Sequence, residues 1–298
     1  MFRNFREVEE YLSENRIVRK VVLAGAHDDI SLKALIRARK NGYVEPVFIG
    51  DEEKVRDILV SLDENPDEYE IINEKKEGKC ARLAMDMINE KKADFPMKGL
   101  MQTATFLMAV QNPFGGIADA EAKLNEFTVF EYPEADRMIV TGDCAVNIFP
   151  DLKDKENITR NLIRVARAFG SDEVKVACLS VVEKPDPEIQ SSVHARALSE
   201  MDWGEKVMVE GPFALDNALD EDAARHKGID SPVAGKADVL LVPDIHAGNI
   251  LHKAVHFFGH YRFSSGLLGA KCPIIMNSRT DDEDAKYYSV LSAILLSL

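Results

Sequence analysis

A serine and an arginine stand side by side near the end of the chain, at Ser278 and Arg279 in the segment Asn277-Ser-Arg-Thr-Asp281. The segment follows strand-forming residues and precedes a helical pattern. N–H groups at a helix start attract anions, and the planar guanidinium of arginine suits phosphate. The pattern therefore indicates an anion site, with Asp281 as a helix cap or a base. An ordinary capping sequence has the same composition and is the more frequent explanation.

A second candidate phosphate site is Lys98-Gly99, at the end of a predicted strand. Thr103 and Thr105 follow on a helix predicted from Met101 to about residue 111, and their hydroxyls could bind phosphate oxygens. The segment is not a P-loop, because G-x-x-x-x-G-K-[ST] is absent. No strand is followed by G-x-G-x-x-G either, so the sequence gives no support to a dinucleotide site.

A third candidate follows the predicted strand VLLVPD, which ends at Asp244. Gly248 permits close backbone approach, Asn249 lies at a helix start, and Lys253 comes one turn later. A routine strand-turn-helix connection explains the same pattern. Gly211-Pro212 follows another strand and belongs to the same set of strand-end residues.

Histidines occur at i, i+4 and i+8 in His252, His256 and His260. Histidines on one helix face can bind zinc. However, H-E-x-x-H is missing, and three histidines along one helix reach too far to share a metal easily. We therefore predict surface or interface histidines and no metal site.

The elements that position these residues alternate between short apolar runs and amphipathic helices. Such alternation predicts an α/β fold, parallel-type sheets with flanking helices. Ligands of these sheets bind at the carboxyl ends of strands, where the candidate residues lie. The final strand is predicted at CPIIMNS, with the last helix from Asp281 onward. The segments FTVFEY and RMIVTGD are predicted to form a strand pair.

Composition excludes several classes of partner. The 37 Lys and Arg against 51 Asp and Glu give a net charge of −14, which repels nucleic acid and anionic lipid. No apolar stretch is long enough to span a membrane, and the N-terminus lacks a secretory pattern. The four scattered cysteines fit reduced core thiols. These features predict a cytoplasmic protein.

Four segments resemble the phosphate acetyltransferase and phosphate butyryltransferase family, and the butyryl branch more closely. They are MKGLMQTATFL (97–107), GPFALDNAL (211–219), AGKADVLLVPDIHAGNILHKA (234–254) and GAKCPIIMNSRTDD (269–282). The resemblance implies an isocitrate/isopropylmalate dehydrogenase-like fold with two α/β domains around a cleft. The first domain would comprise residues 1–117 plus 265–298, and the second residues 118–264.

The resemblance also implies an acyltransferase reaction, in which acyl-CoA and inorganic phosphate give acyl phosphate and CoA. CoA would be a substrate, with no bound cofactor, and the protein would be a homo-oligomer. Ser278 and Arg279 match the family's Ser-Arg directly and would be catalytic. The implied substrate-binding residues are Lys98, Gly99, Thr103, Thr105, Gly211, Pro212, Asp244, Gly248, Asn249 and Lys253.

The general base is a choice between Asp281 and Asp284, because Ala285 occupies the position of the acetyltransferase aspartate. We prefer Asp281. Met108 is a second departure, since relatives often carry arginine there. These departures favour one alternative, a CoA- or acyl-phosphate-binding sensor without catalysis. A dehydrogenase on the same scaffold is a second alternative, but the sequence shows no convincing set of adenine-site and metal-binding aspartates.

Overall fold

The structure, a computed structural model, describes residues 1–119 and 122–298. Contacts between Cα atoms divide the chain into two compact units. One unit comprises residues 6–124 and 264–298, and the other comprises residues 1–5 and 125–263. Each unit therefore gathers segments that are distant in the sequence.

The unit of residues 6–124 and 264–298 is built on four parallel strands. Their order is β3 (Glu70–Asn73), β2 (Val44–Gly50), β1 (Arg19–Ala24) and β4 (Phe95–Lys98). Its helices are α1 (Phe5–Glu14), α2 (Asp29–Lys40), α3 (Glu52–Ser61), α4 (Glu77–Asn89), α5 (Thr103–Val110) and α11 (Glu283–Leu296), with a 3₁₀ turn at Pro66–Glu68. The predicted strand–helix alternation is confirmed here.

The segment CPIIMNS is not a regular strand, which corrects the prediction. Only two bridges remain, between Met97 and Ile275 and between Leu267 and Ile274. Pro273 has no N–H for a ladder, and the chain leaves the sheet edge at Asn277, whose Nδ2 donates to Ser289 Oγ at 2.9 Å. The end of β4 therefore has an irregular neighbour.

The last helix begins at Glu283 rather than at Asp281. Asp282 is its N-cap and accepts the N–H of Ala285 at 2.9 Å. Asp281 is only 2% exposed and lies in the preceding loop. Because Asp282 caps the helix, the Asp281 carboxylate does not, and it accepts the N–H of Ser278 instead. Similarly, α5 begins at Thr103 rather than at Met101.

The other unit contains a mixed sheet in which β5 (Asn125–Tyr132) and β6 (Arg137–Gly142) are antiparallel, confirming the predicted strand pair. Beside β6 lie β9 (Val239–Leu241), β7 (Val174–Leu179) and β8 (Val207–Phe213), all parallel. Its helices are α6 (Leu152–Ala168), α7 (Gln190–Ser199), α8 (Leu215–Leu219), α9 (Glu221–His226) and α10 (Ile245–Phe257), with a 3₁₀ turn at Pro133–Ala135. Strand β10 (Phe263–Leu268) leads back to the first unit.

Across residues 1–119 and 122–298, the structure contains no helix with the length and apolar character needed to cross a membrane.

Candidate active site

The loop before α11 is held in shape by Asp281. Its Oδ2 accepts the backbone N–H of Ser278 at 2.9 Å, and Asn277 Nδ2 lies 3.4 Å away. The Ser278 and Thr280 hydroxyls are 3.0 Å apart. Because the carboxylate lies beneath the loop, Ser278 and Arg279 are presented to solvent.

Arg279 reaches the start of α5. Its Nη2 donates to Gln102 Oε1 at 3.1 Å, and Gln102 is the N-cap residue of that helix. The Gln102 N–H donates to Glu77 Oε2 at 3.1 Å. The structure thus brings Arg279 to the helix that carries Thr103 and Thr105. Gln102 was not predicted, and its only signal in the sequence is its place before TATFL.

Lys98 is a buried cation of this site. It is 5% exposed, and its Nζ donates to the Gly99 carbonyl at 3.2 Å. Burial, and then the charges of Arg279 and Lys286, lower the pKa of Lys98. A Cβ on Gly99 would lie 2.3 Å from the Gly25 carbonyl oxygen, so no side chain fits there. Strand β4 therefore ends close to the end of β1. Its last residue, Lys98, is repelled by the charges of Arg279 and Lys286.

Lys286 and Asp28 form an ion pair that sequence reasoning missed. Lys286 Nζ lies 2.7 Å from Asp28 Oδ2 and 2.9 Å from Ser31 Oγ, and it is 5% exposed. Burial opposes ionisation of Asp28, but hydrogen bonds from Lys286 and Ser31 hold its pKa below the usual value. Because Asp28 follows β1 and Lys98 ends β4, the pair lies at the same sheet edge as Lys98.

The two candidate bases have different surroundings. Asp284 Oδ1 lies 2.5 Å from Arg37 Nη1, and the Asp284 side chain is 54% exposed on the first turn of α11. Asp281 is buried next to Ser278. Proximity to Ser278 favours Asp281, and its role as base stays a prediction.

In the other unit, the first turn of α10 packs on the loop that follows β6. Asp244 caps the helix by accepting the N–H groups of His246 and Ala247 at 2.9 and 3.0 Å. A Cβ on Gly248 would lie 2.9 Å from the Asp143 carbonyl oxygen, so glycine is required for this approach. Asn249 Nδ2 lies 3.4 Å from the Cys144 carbonyl.

Asp143 organises that loop. Its carboxylate accepts the N–H groups of Ala145, Val146 and Asn147 at 3.0, 2.9 and 3.0 Å. Burial raises the pKa of Asp143 in spite of these donors. The structure thus brings Asp244, Gly248 and Asn249 together on α10, with Lys253 one turn further along the helix.

Gly211 and Pro212 lie elsewhere in this unit. They line a cavity of about 320 Å³ together with Glu183, Arg196, Ser199, Glu210, Phe213, Ile229, Asp230 and Ser231. Strand β8 is separated from β9 by β7, and none of these lining residues belongs to α10. The structure therefore does not gather Gly211 and Pro212 with the start of α10.

The three histidines, predicted to lie at the surface or an interface, have different surroundings, and His252 is the most enclosed. It is half-buried, its Nδ1 lies 3.0 Å from Thr128 Oγ1, and burial lowers its pKa to about 4. His256 contacts the Phe263 ring at 5.1 Å, whereas His260 is exposed. The helix turns His252 inward because Gly248, one turn earlier, lets α10 approach the loop closely. In the described ranges 1–119 and 122–298, no group of three or more His, Cys, Asp or Glu could hold a metal.

The family model for phosphate acetyl/butaryl transferase matches residues 78–294. The chain belongs to this family. It is 35% identical over 300 residues to the phosphate butyryltransferase of Clostridium acetobutylicum, and the match covers 100% of this chain and 99% of that protein. The resemblance that the four sequence segments indicated is therefore confirmed, and so is the predicted class of acyltransferase.

Solved structures confirm the predicted fold. A branched-chain phosphotransacylase from Enterococcus faecalis V583 matches with a TM-score of 0.84 and 27% identity, over 94% of this chain and 99% of that one. A 4-hydroxythreonine-4-phosphate dehydrogenase from Klebsiella pneumoniae matches with a TM-score of 0.56 and 15% identity, again over 94% and 99%. The second likeness concerns the fold alone.

Proposed function

We propose that the protein transfers a short acyl group reversibly between CoA and inorganic phosphate, with butyryl-CoA and phosphate giving butyryl phosphate and CoA. Membership of the phosphate acetyl/butyryl transferase family supports the reaction. The match to a phosphate butyryltransferase over 100% of this chain and 99% of that protein supports the butyryl substrate. CoA, acyl phosphate and phosphate are then substrates or products, and no bound cofactor takes part.

The observation that carries the proposal is the cluster of Lys98, Arg279 and Lys286. The protein has a net charge of −14, yet Lys98 lies close enough to Arg279 and Lys286 that their charges, after burial, lower its pKa. An anion placed among mutually repelling cations relieves that repulsion. The cluster therefore suits the phosphate group that the reaction transfers.

The proposed chemistry needs a base and a site for developing negative charge. In the direction of acyl-CoA synthesis, Asp281, or alternatively Asp284, takes the proton from the CoA thiol. A free thiol has a pKa of about 8.5, so a positioned base increases the thiolate fraction at neutral pH. The sulfur then attacks the carbonyl carbon, a C–S bond forms, and phosphate leaves with the electrons of the broken C–O bond. Arg279 stabilises the growing charge, and Ser278 hydrogen-bonds the phosphate or the thiol.

An activity panel tests this function directly. The purified protein is mixed with phosphate and acetyl-, propionyl-, butyryl- or isobutyryl-CoA, and the release of free thiol is followed. We expect release with at least one of these substrates, and the fastest release with butyryl-CoA. If no acyl-CoA releases thiol while CoA still binds, the protein is a sensor without catalysis. Two features favour this alternative: Met108, which is 73% exposed on α5, and Ala285, in place of the aspartate that the resemblance to acetyltransferases implies.

We also propose that the protein is a homo-oligomer whose copies meet through the outer face of α10. Ile250, Phe257 and Phe258 are 69%, 55% and 87% exposed there. Phe149, 73% exposed, extends the patch, because its ring lies 5.5 Å from that of His246. Four such side chains expose on the order of 500 Å², more than scattered surface residues do. A stable interface buries about 800 Å² per partner.

The charge of this face supports a second copy as its partner. Residues 245–258 contain no aspartate or glutamate, although the whole chain contains 51. Two such faces can meet without the repulsion that the rest of an acidic surface would cause. A twofold axis would bring the same residues of both copies together.

Substituting Phe258→Asp is expected to convert the oligomer to a monomer, because a twofold interface receives the new charge twice. Light scattering coupled to size exclusion measures the mass. Val60→Asp is the matched control, since Val60 is 62% exposed on α3. A monomeric wild-type protein, or a Phe258→Asp variant of wild-type mass, would contradict this interface.

A further inference from the structure

Hydrogen bonds link five residues of β5, the loop after β6 and α10, and the backbone of α10 closes the path. Thr128 Oγ1 lies 2.5 Å from Glu126 Oε1 and 3.0 Å from His252 Nδ1. Glu126 Oε2 accepts the Cys144 N–H at 2.9 Å, and the Cys144 carbonyl lies 3.4 Å from Asn249 Nδ2. Asn249 and His252 are one helical turn apart on α10. We call this set the β5–α10 hydrogen-bond ring.

The protonation states of Glu126 and His252 assign the donors and acceptors around Thr128. Burial, and then the charge of Asp143, raise the pKa of Glu126 to about 8, so this carboxyl group keeps its proton at neutral pH. Burial, and then Lys253 and His256, lower the pKa of His252, so its imidazole is neutral. The Glu126 hydroxyl then donates to Thr128, and the Thr128 hydroxyl donates to His252 Nδ1. In this arrangement the Thr128 hydroxyl both accepts and donates a hydrogen bond.

The ring fixes the position of the first two turns of α10. Gly248 lies so close to the loop that an added Cβ would be 3.0 Å from Cys144 Cα. The backbone contact sets the distance between helix and loop, whereas the Thr128–His252 bond sets the rotation of the helix about its axis. Asn249 and Lys253, the proposed substrate residues, follow that rotation because they lie on the same two turns.

We propose that Glu126, Thr128 and His252 are positioning residues, which orient the start of α10 for binding CoA or its acyl and phosphate partners. The inference rests on the proposed function of Asn249 and Lys253. None of the three side chains needs to touch the substrate. Their effect is on how tightly the ground state binds rather than on the chemical step.

Thr128 offers the sharpest test, because valine keeps its shape without the hydroxyl and serine keeps the hydroxyl. We expect Thr128→Val to raise KM for acyl-CoA about five- to tenfold, the loss of roughly one net hydrogen bond, with kcat changed less than twofold. An interaction that contributes equally to ground state and transition state has this signature. Thr128→Ser should restore KM to near the wild-type value.

Thr159→Val is the matched control. Thr159 is also fully buried in this unit, and its hydroxyl donates to the Lys155 carbonyl within α6 at 2.7 Å, outside the ring. This variant should show the wild-type KM. If Thr128→Val keeps the wild-type KM, or if Thr128→Ser does not rescue it, the positioning role is wrong.

The Kd for CoA, measured by calorimetry on the same variants, separates this inference from the proposed function. Wild-type turnover that depends on Arg279 supports the function whatever Thr128 does. CoA binding without turnover contradicts the proposed reaction. In that case a higher Kd for CoA in Thr128→Val than in the wild type still supports the positioning role. A wild-type protein that binds no CoA overturns both.

Discussion

Replacing Arg279 by alanine is expected to lower kcat for acyl transfer about a thousandfold, because the developing negative charge loses its nearest exposed cation. Lys98 is buried beside it and cannot move into its place. Arg279→Lys should recover part of the rate, since lysine keeps the charge and loses the planar fork. Initial rates of thiol release from butyryl-CoA at saturating phosphate provide the measurement.

Two further variants make this result specific to the site. Gln102→Ala removes the neutral acceptor that holds the Arg279 guanidinium, and it should cost far less than the arginine itself, about tenfold or below. Arg225→Ala removes an arginine whose side chain is 73% exposed on α9 in the other unit. Arg225→Ala should retain the wild-type rate. Full turnover by Arg279→Ala would show that the site has been placed wrongly.

Most strands, and the loops that we propose to bind anions, were predictable because both depend on local sequence. Lys98-Gly99 follows the run that forms β4, whereas the run before Ser278-Arg279 makes only isolated bridges. The alternation of strands and helices places all strand ends at one edge of a parallel sheet. The position of Lys98 at the end of β4 is therefore a consequence of residues next to it. The structure confirms that β4 ends at Lys98.

The partners of these residues were not predictable, because they come from distant parts of the chain. Arg279 and Gln102 are 177 residues apart, and Lys286 and Asp28 are 258 apart. Sequence spacing reveals only neighbours within about four residues on a helix. The contacts depend on β1 lying beside β4, a strand order that alternation alone does not specify.

The cap of α11 illustrates a different limit. The run Asp281-Asp282-Glu283-Asp284 offers several carboxylates at a helix start, and either Asp281 or Asp282 could cap the helix. The structure selects Asp282, because Asp281 is already engaged by the Ser278 N–H. Which of the adjacent aspartates caps the helix therefore depends on the conformation of the loop that precedes them. That loop is also what places Asp281, rather than Asp284, beside Ser278.

Glu126 escaped notice because β5 is buried on both faces. Residues 125–130 are all buried, so the alternation that would mark an inward-facing carboxyl group is absent. An acidic residue within NEFTVFEY then looks like an ordinary solvent-facing side chain. Its burial has a measurable consequence for the stability of the unit that contains it.

We expect Glu126→Gln to be more stable than the wild type at pH 8, and the difference to shrink as the pH falls. The fold keeps the Glu126 proton up to a pKa of about 8, whereas the unfolded chain loses it above about 4.5. The native state binds more protons between these values, so wild-type stability falls as the pH rises through this window. The loss is on the order of 5 kcal/mol at most. Glutamine cannot ionise, and it keeps the acceptor for the Cys144 N–H and a donor for Thr128.

Urea unfolding followed by the fluorescence of Trp203 tests this expectation in the correct unit. Trp203 is the single tryptophan of the chain, and it lies in the unit of residues 125–263 together with Glu126. Glu45→Gln, an exposed substitution on β2 in the other unit, controls for the loss of a negative charge. A difference between Glu126→Gln and the wild type that stays constant from pH 5 to pH 8 would mean that Glu126 is ionised in the fold. The donor assignment of the β5–α10 hydrogen-bond ring would then be reversed: the Thr128 hydroxyl would donate to Glu126 and accept from the Nδ1–H tautomer of His252.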